Sequence, residues 1–525
     1  MLTPDALTAL MASHTPHAVL DVRERGAYER GHIFRTTSLP RRQLEVRVPT
    51  LITAPATPIA LVDADGTLAP LAAATLGAMG YRDVRALDGG VAAWRSAGRR
   101  VVQGLNVPSK VFGERALHEW RTPQITPQDL MARIERRDDM VIVDSRTFEE
   151  YHRGCIPGSI SVPGGELVLR IGELIKRPET TIVVHCGGRT RSYIGAESLR
   201  RMRLPNPIVA LENGTMGWEL AGLTLERGAT RTAPEPGDRS RAQATATAAR
   251  VASEDRVRAL RADDVRDLWE QRRERNVYLV DVRSADEYES GHVAGAIWAP
   301  GGQAVQATDD YFAVRDASYV FMCDGSGRSI MTAAWFTRMG VPDVAVLAGG
   351  VPAWQDAGGL IDNGQPETPP FGWQAARAAT RYRKPGDLGG AVVIDVGMSD
   401  EYARGHVPGA AWICRSRLES HIATAAPDRA RAIVMTCGDG VGATLAAVTL
   451  AGLGYKDVSV LEGGTRGWKD AGLPLEAGTT RLLDEPDDVV LKPYQRGRDA
   501  MHAYLRWEEA LDPDGSSPHR LLEER

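Results

Sequence analysis

One unit recurs four times along this chain, and its fixed internal spacing limits what the chain can fold into more than any other feature. An apolar strand ending in aspartate opens each copy: HAVLDVR (17–23), MVIVDSR (140–146), VYLVDVR (277–283) and AVVIDVG (391–397). A glycine turn follows, as in YHRGCIPGSISVP and YESGHVAGAIWAP, and then a second strand, PIALVD, TIVVHC, SYVFMC or AIVMTC. The step from the first aspartate to the end of the second strand is 42 residues each time: Asp21 to Asp63, Asp144 to Cys186, Asp281 to Cys323 and Asp395 to Cys437. A tryptophan comes 31 or 32 residues later (Trp94, Trp218, Trp354, Trp468), just after a strand that ends in Gly-Gly or Asn-Gly.

Short apolar strands alternating with helical stretches such as LAPLAAATLGAMG imply α/β units, each a parallel sheet flanked by helices on both faces. Four tandem units of about 100–115 residues suit a chain too long for one core. They are expected at 1–105, 120–228, 257–362 and 373–480. The segment 226–250, rich in Ala, Thr, Pro and Arg with no apolar period, reads as a linker, here bounded at 229–256. The chain then reads as two tandem pairs, units one with two and three with four. In the tail, 481–525, the stretch YQRGRDAMHAYLRWEEAL (494–511) reads as one amphipathic helix packing back on a domain.

A formal net charge of −5 argues against nucleic acid or an anionic membrane as partner. No apolar run reaches membrane-spanning length, and the first residues lack the basic region of a signal peptide. Five cysteines, sparse and odd in number, suggest reduced thiols in a cytoplasm. No metal or cofactor is expected.

Cys186 and Cys323 each end a strand and open a helix, where backbone amides and the helix dipole favour an anion. The loops CGGRTRS and CDGSGRS supply Gly187, Gly188, Gly325 and Gly327, which let consecutive amides turn inward. Each has an arginine five residues on, Arg191 or Arg328, and the first adds Arg189. Such surroundings favour a thiolate, a nucleophile for anionic substrates. The turn cysteine Cys155 and Cys414 read as packed core residues. The turn histidines His32, His292 and His406 read as structural, and the tryptophans and strand arginines as scaffold.

With its D-V-R strand, its YESGHVAGA turn, its C-x4-R loop and its L-x-G-G-x-x-x-W segment, the third unit resembles the rhodanese family of sulfurtransferases. The likeness extends over nearly all of residues 1–480 as four rhodanese-like domains. It implies that Cys186 and Cys323 take a sulfane sulfur from a donor such as thiosulfate, become persulfides, and pass the sulfur to cyanide or a thiol. Arg191 and Arg328, with Arg189 and the loop glycines, would bind the donor. Unit one has Asp63 and Leu68 in place of the cysteine and arginine, and is expected to be an inactive partner of unit two. Unit four keeps Cys437 but has Gly442 at the arginine position. Its CGDGV loop looks more like that of mercaptopyruvate sulfurtransferases, so it is possible only as a third, atypical nucleophile. The competing readings are a sulfur carrier that presents a persulfide to a partner protein, and a phosphatase or arsenate reductase. The last two use a loop one residue longer, C-x5-R, whereas here the +6 positions are Ser192 and Ser329.

Overall fold

The computed structural model describes residues 1–366 and 368–512; the end of the expected tail, 513–525, lies outside them. In unit two the strands run Gln124–Ile125, Ile208–Leu211, Thr181–His185, Met140–Asp144, Ile160–Ser161 across one parallel sheet. Units three and four repeat that order with the equivalent strands. The central strands of units two to four, TIVVH, SYVFM and IVMT, are mostly apolar and buried on both faces, as sheets covered by helices on both sides require. The constant step of 42 is a register. Asp144 lies opposite His185, Asp281 opposite Met322, Asp395 opposite Thr436 and Asp21 opposite Val62, so the next residue is always the head of the loop.

The other repeated residues form a common scaffold. Tyr28, Tyr151, Tyr288 and Tyr402 each donate a hydrogen bond to a carbonyl eight residues on, at 2.7–2.8 Å, which closes the glycine turn. His32, His292 and His406 are buried and stack on those tyrosines at 3.7–3.8 Å, with Nδ1 against the tyrosine carbonyl. Burial holds His32 neutral by lowering its pKa to about 3. Each repeated tryptophan donates Nε1–H to a carbonyl six residues on, at 2.8–3.0 Å. The second residue of each Gly-Gly or Asn-Gly pair has left-handed φ, +54° to +67°, and a Cβ there would stand 2.1–2.5 Å from the carbonyl oxygen of Asp63, Cys186, Cys323 or Cys437. Only glycine fits. The next amide donates to that same carbonyl at 2.8–2.9 Å, so this turn clamps the loop.

Two expectations about organisation are corrected. The stretch read as a linker contains a helix, Asp238–Glu254, whose buried face is Ser240, Ala244, Thr247, Ala248 and Val251. This stripe has helical spacing, but its residues are too small and weakly apolar to stand out in the sequence. Their smallness lets the helix lie against the Cys323 loop, where a Cβ on Gly327 would sit 2.5 Å from that of Ala248. The pairing also differs. Units two and three meet through matched glycines: a Cβ on Gly165 would lie 3.1 Å from the Gly301 nitrogen, and one on Gly302 3.1 Å from the Gly165 nitrogen. Units one and four meet through the same segment, here carrying charge. Arg41 forms a bidentate pair with Glu419, Arg415 pairs with Glu45, and buried Glu24 accepts from Ser416 and Cys414. Glycine faces match glycine faces and ionic faces match ionic ones, whatever the chain order.

Unit one is therefore not simply the partner of unit two. Val314–Arg315 of unit three adds an antiparallel strand beside His17 and Ala18 of unit one, covering an exposed sheet edge. A single hydrophobic cluster, including Leu51, Ile52, Tyr278, Phe312 and Phe336, spans units one and three. The tail forms the helix Arg498–Glu509, which packs on unit two through Met501 and Leu505 and on the helix Val107–Glu119 through Trp507. No helix among the described residues is long and apolar enough to cross a membrane.

Candidate active site

In unit two, Cys186 sits between the strand Thr181–His185 and the helix Thr190–Arg200 and is 2% exposed. Its Sγ lies 3.3 Å from Ser192 Oγ, which itself donates to the Arg189 carbonyl at 2.7 Å. Arg191 makes a two-pronged ion pair with Glu150, at 2.6 and 3.0 Å. Although burial alone would raise it, the Arg191 guanidinium holds the Glu150 carboxyl down at about 2. Arg189, expected to help bind the donor, is engaged with other partners. Its guanidinium turns outward onto Glu114, Asn213 and Glu509, tying the loop to two helices outside the unit. The tail helix lies over the same loop. Thr190 donates to Glu508 at 2.7 Å, and a Cβ on Gly188 would meet Met216 Cε at 3.0 Å and Glu508 Oε2 at 3.2 Å.

Unit three repeats the arrangement. Cys323 is 1% exposed, its Sγ lies 3.3 Å from Ser329 Oγ, and Arg328 opens the helix Arg328–Arg338. Gly325 and Gly327 are left-handed, at φ +88° and +95°. Arg328 is held by Glu287 at 2.6 and 2.7 Å, by Asp324 at 2.9 Å, and by Glu166 of unit two at 2.8 Å.

Glu150 and Glu287 were not singled out in the sequence. The signal was the residue before the repeated tyrosine: Glu150, Glu287 and Glu401 in units two to four, Ala27 in unit one. Unit one has thus lost both the arginine and its acid. There the Asp63 carboxylate occupies the loop itself, accepting from the amides of Gly66, Leu68 and Ala69 at 2.6, 2.6 and 2.7 Å. The loop is therefore an anion cradle that this unit fills with its own side chain.

Unit four has lost the arginine and kept the acid. Cys437 Sγ accepts from the Ala443 amide at 3.3 Å and lies 3.7 Å from Asp439 Oδ1. Burial, aided by Asp439 and Asp395, pushes this thiol up to about 11. Iodoacetamide alkylation of Cys437 should therefore keep accelerating about tenfold per pH unit past pH 9. A plateau below pH 9, read site by site by mass spectrometry, would contradict this. Cys155 and Cys414 are buried, and burial raises both thiols. Among the described residues no group of three or more His, Cys, Asp or Glu could hold a metal ion.

The rhodanese-like domain model matches residues 3–97, 126–221, 264–357 and 378–471. The chain belongs to the rhodanese family. A solved structure, the thiosulfate sulfurtransferase of Pseudomonas aeruginosa, is 37% identical with a TM-score of 0.90, and the match covers 98% of each chain. SseB of Mycobacterium tuberculosis, which carries a provisional thiosulfate sulfurtransferase name, is 25% identical over 39% of this chain and 92% of its own. An HTH-type transcriptional regulator of the same organism is 34% identical over 20% of this chain, which spans only 47% of the regulator's length. These likenesses support a sulfurtransferase.

Proposed function

We propose that this protein transfers sulfane sulfur from thiosulfate to a thiophilic acceptor through persulfides on Cys186 and Cys323. The thiolate attacks the outer sulfur of thiosulfate, and the S–S bond breaks with its electron pair leaving on sulfite. Cyanide or a thiolate then attacks the terminal sulfur of the persulfide and returns the cysteine as a thiolate, so each cycle moves one sulfur atom and needs no external oxidant or reductant.

The observation that carries this reading is the cradle in unit one. Its amides take up a carboxylate, and in units two and three a cysteine stands at the position of that aspartate, 42 residues after the strand aspartate. Backbone donors so placed would stabilise the negative terminal sulfur of a persulfide. Arg191 and Arg328, fixed by Glu150 and Glu287, would hold positive charge beside the donor. Ser329, set against the Cys323 thiol, would donate to the thiolate once it forms, and Ser192 would do the same for Cys186 by turning its hydroxyl away from the Arg189 carbonyl.

The burial of both cysteines favours small donors and acceptors over a docked protein. Turnover separates an enzyme from a carrier. With excess thiosulfate and cyanide the protein should release many equivalents of thiocyanate per cysteine, and release that stops at one equivalent would identify a carrier.

A further inference from the structure

The two arginine loops are not electrostatically alike, and the difference comes from across a domain boundary. Gly164 and Gly165 of unit two pack reciprocally against Gly302 and Gly301 of unit three, so PGGE (163–166) and PGGQ (300–303) face each other about a local two-fold. Arg191 lines the cavity at this contact together with Gly301 and Gly302. The fourth position breaks the symmetry. Glu166 sends Oε1 to Arg328 of unit three, whereas the equivalent residue of unit three is the neutral Gln303.

Arg191 therefore forms an ion pair with one carboxylate, Glu150, while Arg328 forms ion pairs with three, Glu287, Asp324 and Glu166. Its Nε donates to Ser326, and both terminal nitrogens are committed to carboxylates. Glu166 is buried, so solvent screens it weakly; Arg170 holds its other oxygen at 3.0 Å. Each acid is offset by an arginine at 3.0 Å, Glu166 by Arg170 and Asp324 by Arg241, but Asp324 is partly exposed and belongs to the loop itself, whereas Glu166 is buried and comes from the other unit. The acid that most distinguishes the two loops is thus Glu166.

We propose that Glu166 is a specificity-determining residue of the Cys323 site, one that disfavours a dianionic sulfur donor there and leaves thiosulfate chiefly to Cys186. This rests on the sulfurtransferase reading above. Glu287 already orients Arg328 as Glu150 orients Arg191, so the third carboxylate adds negative charge rather than a missing hold. Cys323 then suits donors of lower charge.

The test uses the full chain with one working cysteine at a time. In thiosulfate:cyanide assays, the Cys186→Ser enzyme, working through Cys323, should show a thiosulfate KM about five- to tenfold above that of the Cys323→Ser enzyme. Adding Glu166→Gln to Cys186→Ser should lower that KM by a similar factor, with kcat changed by less than about twofold. A merely structural role would instead lower kcat or raise KM. An unchanged or raised KM in folded Glu166→Gln protein overturns the proposal. Should that variant not fold, the two single-cysteine enzymes decide, and equal KM values overturn it. A Cys186→Ser enzyme with neither turnover nor persulfide on Cys323 would overturn the sulfurtransferase reading of that loop instead.

Discussion

A chain carrying both Cys186→Ser and Cys323→Ser is expected to lose thiosulfate:cyanide activity by at least about a thousandfold, because no loop then joins a nucleophile to an arginine. Each single change should leave the share carried by the other loop. The substitution is conservative in shape. Both sites already hold a serine hydroxyl 3.3 Å from the thiol, so a second hydroxyl can be hydrogen-bonded there and the fold should survive. Steady-state thiocyanate release by the purified variants checks this. Substantial turnover in the double variant would move the chemistry to Cys437 or outside the loops altogether.

A gain of function is expected from Gly442→Arg in that double background. Gly442 is not in the left-handed region, and a Cβ there would rest 3.6 Å from Cys437 Sγ, an ordinary contact. The acid that would hold the new guanidinium is already present. Glu401 occupies the position of Glu150 and Glu287, with Oε2 3.5 Å from where a Cβ on Gly438 would stand. A hydrogen bond to a charged group contributes roughly 1.5–3 kcal/mol. At about 1.4 kcal/mol per tenfold, thiosulfate use by Cys437 should rise about 10- to 150-fold. The new positive charge should also bring the thiol down from about 11, which alkylation against pH would register. If Cys437 alkylates more readily and thiosulfate is still not used, the missing arginine is not what silences unit four, and Asp439 or the loop geometry is.

Much of the fold was legible in the sequence because the repeat carries its own geometry. The 42-residue step is a strand register plus one, and the Gly-Gly or Asn-Gly before each tryptophan marks the turn that clamps the loop. The positions of Cys186 and Cys323 followed from that step. The partnership of the units did not, because it is decided by four-residue segments such as PGGE and PGGQ, whose faces meet only after folding. The helix Asp238–Glu254 is not visible in the sequence because its buried stripe is alanine, serine and threonine but for Val251. Arg189 was assigned to the donor from its place in the loop, but its long side chain reaches Glu114 and Glu509 on other helices, contacts no local spacing reveals. Glu150 and Glu287 were visible in principle, as the residue before each tyrosine.

The central claim, that sulfur is carried on two cysteines and no others, is tested most directly by intact and peptide mass after brief treatment with thiosulfate and no acceptor. The account predicts gains of about 32 Da per persulfide, at Cys186 and Cys323 alone, reversed by cyanide. No gain at either residue, or a gain at Cys437 in their place, would contradict it.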